Sequence, residues 1–366
     1  MKAAVVDPEA RTVRAGAGLS WGELDAATQE HGLAVTGGRV TTTGVTGFTL
    51  GSGSGWLERA MGLAPDNLVA ARMVAADGRA VAVTAQDEPE LLWALKGGGG
   101  NFGVVTEMTF SLMPVGPMVT GGMRMYPFER AGEVLRAYRD AMAGASDALC
   151  GGVALLCAPP LDFVPEAVRG KPIVAVIVLW AGAPEDAEAG LAPLAALGAP
   201  AMDLVGPMPY VAVQGLLDAG NPYGVHREYP AGGFLDVLTD DAVDAVVGLA
   251  AAPPSPQTVI VLQPMGGAYA RVADDATPLG HRGADWAYQL LAQWERPEDD
   301  ARLRDWVRDA RDRLSGSRVD VSFANFVPGD DRVEVAYAPA ALERLRAVKR
   351  AWDPGNVFRH NHNIAP

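Results

Sequence analysis

The sequence predicts an α+β protein of two domains. Three observations carry that. Strand-like and helix-like segments alternate along the 366 residues, with turn residues between them. A dense glycine segment, residues 43–67 (TGVTGFTLGSGSGWLERAMGLAPDN), lies near the start with apolar residues between its glycines. After Pro114 and Pro117 the pattern shifts to strands and helices suited to an antiparallel sheet covered by helices.

Each element has a local reason. Residues 11–15 alternate and read as a strand. Ser20 and Glu23 form an S-x-x-E capping box that opens a helix through His31, with Gly32 as its stop. Residues 33–36 are a short strand leading into the glycine segment. Residues 70–84 are two apolar runs around Asp77-Gly78, a strong hairpin signal. Asp87 is expected to cap a helix with Pro89 in its first turn, carrying Leu92, Trp93 and Leu95 and ending at 97–100. Residues 104–112 read as a strand.

Beyond the prolines, 129–143 is helical, 172–180 a buried strand and 184–197 an Ala-rich helix. Residues 239–251 begin with Thr239, Asp240 and Asp241, an N-terminus matched to the helix dipole. Residues 259–262 and 268–272 read as strands. Residues 286–294 (WAYQLLAQW) alternate in part and also suit a strand. A charged amphipathic helix covers 298–315. A last helix, 339–352, opens on Pro339 and is stopped by Asp353-Pro354.

The glycine segment carries the chemistry. Gly44, Gly47, Gly51, Gly53 and Gly55 are interleaved with Val45, Phe48, Leu50, Trp56 and Leu57. A flexible linker would be polar throughout. A packed glycine loop presents bare N–H groups that suit a phosphate or a planar ring, so a large cofactor is the first expectation. The loop is neither common nucleotide motif. Gly51, Gly53 and Gly55 read G-x-G-x-G, with Trp56 where a dinucleotide fingerprint needs its third glycine, and no G-x-x-x-x-G-K-[ST] occurs.

Two other motifs compete. Gly18-Leu19-Ser20-Trp21-Gly22 matches G-x-S-x-G, the nucleophile elbow of a serine hydrolase. Against it, Ser20 already serves as a helix cap. His360-Asn361-His362 offers two ligands of a metal site, but lacks a carboxylate cluster and reads as a polar tail. No metal is expected.

Composition narrows the class. The chain is 49% hydrophobic and carries a net charge of −14, which argues against nucleic acid or an anionic membrane as partner. Cys150 and Cys157 cannot build a disulfide framework, so a reducing cytoplasm is the default. The apolar runs CGGVALLCAPP and KPIVAVIVLWAGAP are broken by glycine or proline and are too short to span a bilayer.

Three segments, in this order, resemble the FAD-linked oxidases of the berberine-bridge-enzyme type, within the vanillyl-alcohol-oxidase superfamily. They are the glycine segment with its continuation GLAPDNLVAARMVAADGRAV, then ELLWALKGGGGNFGVVTEMTFSLMPVG (90–116), then RLRAVKRAWDPGNVFRHNHNIAP (344–366). The resemblance implies the two-domain FAD-linked oxidase fold: a flavin domain from 1–116 and 320–366, and a substrate domain from 117–319. It implies FAD as cofactor, a small-molecule substrate and molecular oxygen as acceptor. The reaction expected is hydride transfer from an alcohol, hemiacetal or amine carbon to the flavin.

The resemblance also implies site residues. Gly38, Gly44, Gly47, Phe48, Gly51, Gly53, Gly55 and Asn67 would border the flavin. Gly103, Val104 and Val105 would line its adenine end, and Asn361 and Asn363 would face its polar edge or ribityl chain. Some relatives place a histidine at Phe48. The family's first phosphate loop and flavin-linking histidine have no counterpart, so the chain is expected to be an N-terminally truncated member, and a non-catalytic remnant of the fold is the second reading. The thioether-forming cysteine of some members falls near Val40, where this chain has none, so FAD is expected to be held noncovalently. The family's catalytic tyrosine, in a Tyr-x-Asn-Phe/Tyr run, is Phe323 here. Tyr229, His226 and Tyr269 are the replacement base candidates among the titratable groups of the substrate half, the first two within GNPYGVHREY.

Overall fold

The computed structural model describes residues 1–158, 166, 169–314, 316, 319, 321–328, 333–360 and 362–366. The elements before Pro117 build one antiparallel sheet. In chain order they are β1 (Ala4–Asp7), β2 (Thr12–Gly16), α1 (Trp21–Gln29), β3 (Leu33–Ala34), α2 (Val45–Gly51), α3 (Glu58–Met61), β4 (Leu68–Val74), β5 (Ala80–Thr84), α4 (Pro89–Leu95), β6 (Val104–Ser111) and β7 (Met113–Pro114). The sheet order is β1-β2-β6-β4-β5, and β3 pairs separately with β7. Val13 opposes Phe110 and Ala71 opposes Met108. These side chains are buried in one core with Trp21 and Leu24 of α1 and Leu91 and Leu95 of α4.

Residues 118–294 supply a second sheet. Its strands are β8 (Met118–Pro127), β9 (Leu149–Cys157), β10 (Pro172–Trp180), β11 (Met202–Asp203), β12 (Gly206–Pro209), β13 (Arg227–Leu235), β14 (Val259–Pro264) and β15 (Trp286–Trp294). The order is β11-β8-β10-β9-β14-β15-β13, with β12 also on β8. The helices of this half are α5 (Ala131–Ala143), α6 (Ala187–Leu191), α7 (Tyr210–Gln214), α8 (Asp240–Ala251), α9 (Gly267–Arg271) and α10 (Asp300–Arg313), and α11 (Pro339–Trp352) follows.

One face of the second sheet is covered by α5, α8 and α10: Val153, Val176, Leu262 and Leu290 pack against Leu135, Val246 and Leu303. The opposite, inner face carries Val119, Met123, Ala154, Ile177 and Val261. It meets Trp56 and Leu57 of the glycine segment and Tyr210 and Val213 of α7. The glycine segment is therefore held between the two sheets.

Two arginine contacts fasten that arrangement. Arg59 on α3 donates to the carbonyls of Leu149 (3.1 Å), Met265 (2.6 Å) and Ala145 (3.0 Å). Arg282 grips Asp66 through two bonds of 2.9 and 2.8 Å, with both side chains at least nine-tenths buried. A bidentate pair in that setting fixes orientation as well as distance.

Several sequence expectations change. The cap of α4 is Glu88, not Asp87; Glu88 is left-handed (φ 64°) because the following Pro89 disfavours the right-handed helical region before it. In place of the strand expected at 268–272, residues 268–271 are helical within α9, entered through Gly266 and Gly267 at φ 86° and 53°, and Val272 caps it. The helix expected at 184–197 is interrupted: a 3₁₀ turn, the short α6, then a 3₁₀ stretch containing Pro193. Strands β8, β9 and β13 were not anticipated at all. Each holds a glycine pair (Gly121-Gly122, Gly151-Gly152, Gly232-Gly233) that reads as a break in sequence. A Cβ at Gly151 would strike the Ile177 carbonyl, and one at Gly122 the Leu204 carbonyl. These glycines permit close backbone approach inside the sheet.

Candidate functional site

The glycine segment divides into two kinds of glycine. At Gly51 a Cβ would run into the Asn325 side chain, and at Gly55 into the Gly37 carbonyl. At Gly53 (φ 68°) it would lie 2.6 Å from Pro65 Cδ and 2.7 Å from Ala64 Cβ. Packing within the protein accounts for those three. Gly38 is likewise closed, 3.0 Å from Trp21 and 3.5 Å from Phe48. Gly44 and Gly47 differ: nothing lies within 4 Å of either Cβ position, and the same holds for Gly100. Those are the bare faces.

The loop at 97–103 is drawn onto α2 by a bond from the Gly99 N–H to the Leu50 carbonyl (2.9 Å). The C-terminal tail is fastened to the same loop. Asn101 donates to the carbonyls of Gly98 (2.9 Å) and His362 (3.1 Å), and its Oδ1 accepts from the Ile364 N–H (3.0 Å). Beneath it Lys349 Nζ donates to Asp353 Oδ2 (2.6 Å), the Asn101 carbonyl (2.8 Å) and the Phe358 carbonyl (2.7 Å). Asp353 takes the N–H groups of Val357 and Phe358, both at 2.8 Å. Asn325 Nδ2 donates to the Phe48 carbonyl (2.9 Å), bringing residues 323–326 to the glycine segment.

A large group with a polar edge fits this rim. Besides the open glycines, Asn363 Oδ1 and Ser52 Oγ are buried and have no hydrogen-bond partner among the described residues. Such orphaned atoms are what a flavin's ring edge or chain would satisfy. Gly103 (φ 159°) is needed by packing, because a Cβ there would strike Met73 Cε. Val105 is buried and Val104 about half exposed. Asn361 lies outside the described residues. Asn67 spends its side-chain amide on the carbonyls of Met61 (2.9 Å) and Leu63 (3.0 Å), which stabilises the turn.

The inner face of the second sheet forms three rows of cross-strand neighbours. Glu228 lies opposite Gln293, Pro230 opposite Leu291, and Gly232 opposite Gln289. Val259 and Val261 extend the second and third rows. Phe326 covers Gly232. Gln293 Nε2 donates to Asn221 Oδ1 (2.9 Å) and Glu228 Oε2 (2.8 Å). Gln289 Nε2 is buried without a partner among the described residues, and so is Gln293 Oε1. These glutamines were missed in sequence; their signal was the spacing of four within an alternating strand.

The base candidates are not brought together. Tyr229 points to the helix-covered face, where Arg304 and Arg308 of α10 stack on its ring. Alternation along β13 puts it opposite to Glu228 and Pro230, so it cannot serve the inner face. Tyr269 is fully buried, donates to the His281 carbonyl (3.1 Å), and burial pushes its phenol well above the usual range. It is a poor base. His226 flanks the outer end of the inner face, and its Nδ1 is buried without a described partner. Phe323 is buried, 4.3 Å from Phe234 by ring centroids.

Two buried carboxyls stand out instead. Glu58, at the start of α3 within the glycine segment, is pushed up to about 7 by burial, against the pull of Arg39 at 3.7 Å. Gln263 Nε2 bonds its Oε2. Asp25, between α1 and α7, is also raised by burial to about 7, with Gln214 Nε2 at 3.2 Å as its partner.

Ser20 is used as expected of a cap. Its N–H donates to Glu23 Oε2 (2.9 Å) and its Oγ accepts from the Glu23 N–H (3.4 Å). Among the described residues no histidine bonds to it. No group of three or more His, Cys, Asp or Glu among them is placed to hold a metal. No described helix is long and apolar enough to cross a membrane.

Comparison with known proteins agrees with this geometry. The family described as FAD binding domain matches residues 1–84, and berberine and berberine-like proteins match residues 322–365. An FAD-linked oxidoreductase of Dictyostelium discoideum is 30% identical over all of this chain and 78% of its own length. The (R)-6-hydroxynicotine oxidase of Paenarthrobacter nicotinovorans is 30% identical over 99% of this chain and 79% of its own. The crystal structure of 6-hydroxy-D-nicotine oxidase from Arthrobacter nicotinovorans superposes with a TM-score of 0.83 at 26% identity, over all of this chain and 81% of that one. Berberine bridge enzyme from Eschscholzia californica shares the fold, with a TM-score of 0.82 at 21% identity over all of this chain and 79% of that one.

Proposed function

Because the chain belongs to the FAD-linked oxidases of the berberine-bridge type, we propose that it oxidises an alcohol, hemiacetal or amine carbon of a small molecule and returns the electrons to molecular oxygen. The observation that carries this reading is a juxtaposition. The open faces of Gly44, Gly47 and Gly100 and the orphaned Asn363 Oδ1 lie on one side, and a sheet face with unpartnered amides on the other. A relative named as a hydroxynicotine oxidase keeps amines within the range of substrates considered.

FAD, when bound, supplies the hydride acceptor. The glycine segment, the 97–103 loop and Asn363 would hold it, noncovalently, since Val40 and Thr41 offer no thiol near the loop. The chain's own part is positioning. Pro230, Leu291 and Val259 present an apolar surface that displaces water, and Gln289 offers an amide to orient a polar substituent. Proton removal falls to the outer row: His226 Nδ1, which has no partner among the described residues, and the Glu228 carboxylate. Phe323 contributes a wall without a proton acceptor.

The test is an oxygen electrode. Protein supplied with FAD is expected to consume oxygen and yield hydrogen peroxide in equal amounts with a member of a panel of alcohols, sugars and cyclic amines. Reduction of a dye without oxygen uptake would remove oxygen from the account. Failure with every substrate and both acceptors would remove the oxidase reading.

A further inference from the structure

The inner-face rows describe a substrate in more detail than the reaction does, granted that this face is the substrate site. Along a strand, alternate residues are about 7 Å apart, so the outer and deep rows are separated by about 13 Å. The outer row is anionic. Glu228 is solvent-exposed, accepts one bond, from Gln293, and has no cationic partner among the described residues. The neighbouring Arg227 is engaged on Asp300 by two bonds of 2.7 Å. Gln293 Oε1 adds an unpartnered acceptor beside Glu228. The middle row, Pro230, Leu291 and Val259, is apolar and only partly buried. The deep row ends on Gln289, 97% buried (3% exposed), with an Nε2 that donates to nothing described.

Leaving a buried donor unsatisfied is unfavourable. A sheet face that keeps one at its deep end, and acceptors with a carboxylate at its outer end, is complementary to a ligand of opposite polarity. We propose that this sheet face binds an amphipathic organic amine: its ammonium on Glu228 and Gln293, its apolar body on the middle row, and a hydrogen-bond acceptor on the Gln289 amide. A neutral polyhydroxylated ligand would displace water from the exposed Glu228 carboxylate without supplying a counter-charge. An anionic ligand would meet it directly.

Three probes separate the parts: tyramine, tyrosol (hydroxyl for ammonium) and phenethylamine (no phenolic oxygen). Titration calorimetry on the 366-residue chain needs no turnover. Tyramine is expected to bind about tenfold more tightly than either of the others, one charge-assisted or buried bond each. Glu228→Gln should weaken tyramine about tenfold and leave tyrosol unchanged. Gln289→Met should weaken tyramine and leave phenethylamine unchanged. The unaffected probe in each variant controls for damage to the fold. Equal binding of tyrosol and tyramine, or variants that shift all three probes alike, would overturn the proposal. Protein that takes up flavin but ignores tyramine refutes the amine assignment alone. Protein that discriminates the probes but never holds flavin refutes the oxidase reading alone.

Discussion

Replacing Lys349 by methionine is expected to cost about 3–5 kcal/mol of stability and to free residues 357–364 from the 97–103 loop. Lys349 and Asp353 are each 0% exposed at the side chain and 2.6 Å apart. The ammonium has three acceptors and three donors to fill them, and the carboxylate is completed by two backbone N–H groups. Methionine preserves the length of the side chain but leaves Asp353 as a buried charge without its counter-ion. It also leaves the carbonyls of Asn101 and Phe358 without that donor. Thermal melts give the stability loss, and hydrogen exchange at 357–364 gives the release. Because the tail brings Asn363 to the candidate cofactor rim, flavin retention should fall with it. A variant that melts like the parent would show the pair to be incidental.

Asp25→Asn is expected to act in the other direction. Asp25 sits on α1 facing Gln214 and Tyr210 on α7, and neither its Oδ1 nor the Tyr210 hydroxyl has a partner among the described residues. Burial raises its carboxyl from 3.8 to about 7. The folded state therefore holds a proton that the unfolded state has lost between about pH 4 and 7. In that window stability falls as pH rises, by up to about 4 kcal/mol for a shift of this size. The contribution is complete below pH 4 and gone above 7. An asparagine cannot ionise, keeps an acceptor for Gln214 and adds a donor toward the orphaned oxygens. The variant should melt a few degrees higher than the parent at pH 8, with a flatter dependence below it. Unchanged melting at pH 8 together with an unchanged pH slope would show that Asp25 is solvated.

Much of the first sheet was legible because its signals are local. The Ser20–Glu23 box and the Asp77-Gly78 turn fix their elements without help from the rest of the chain. The strands β8, β9 and β13 were not legible. Their glycine pairs are explained only by neighbours distant in sequence, such as Ile177 against Gly151 and Phe326 against Gly232. The same limit applied to the site. The glycine segment announced a close approach, yet sequence could not tell Gly44 and Gly47, which are open, from Gly51, Gly53 and Gly55, which are filled by the protein itself. Tyr229 and Glu228 are adjacent in sequence, and only the register of β13 against β15 decides which of them faces the glycine segment. The spacing of Gln289 and Gln293 puts both on one face of a strand, but an amide in an apolar strand becomes informative only once its partners are counted.

The central claim is that these 366 residues hold FAD noncovalently at the rim made by the glycine segment, the 97–103 loop and the tail. The measurement that tests it most directly is a visible absorption spectrum of the protein after incubation with FAD and gel filtration, repeated on the supernatant after acid precipitation. The account predicts flavin bands that travel with the protein and then appear in the supernatant. A colourless protein, or bands that stay with the precipitate, would contradict it.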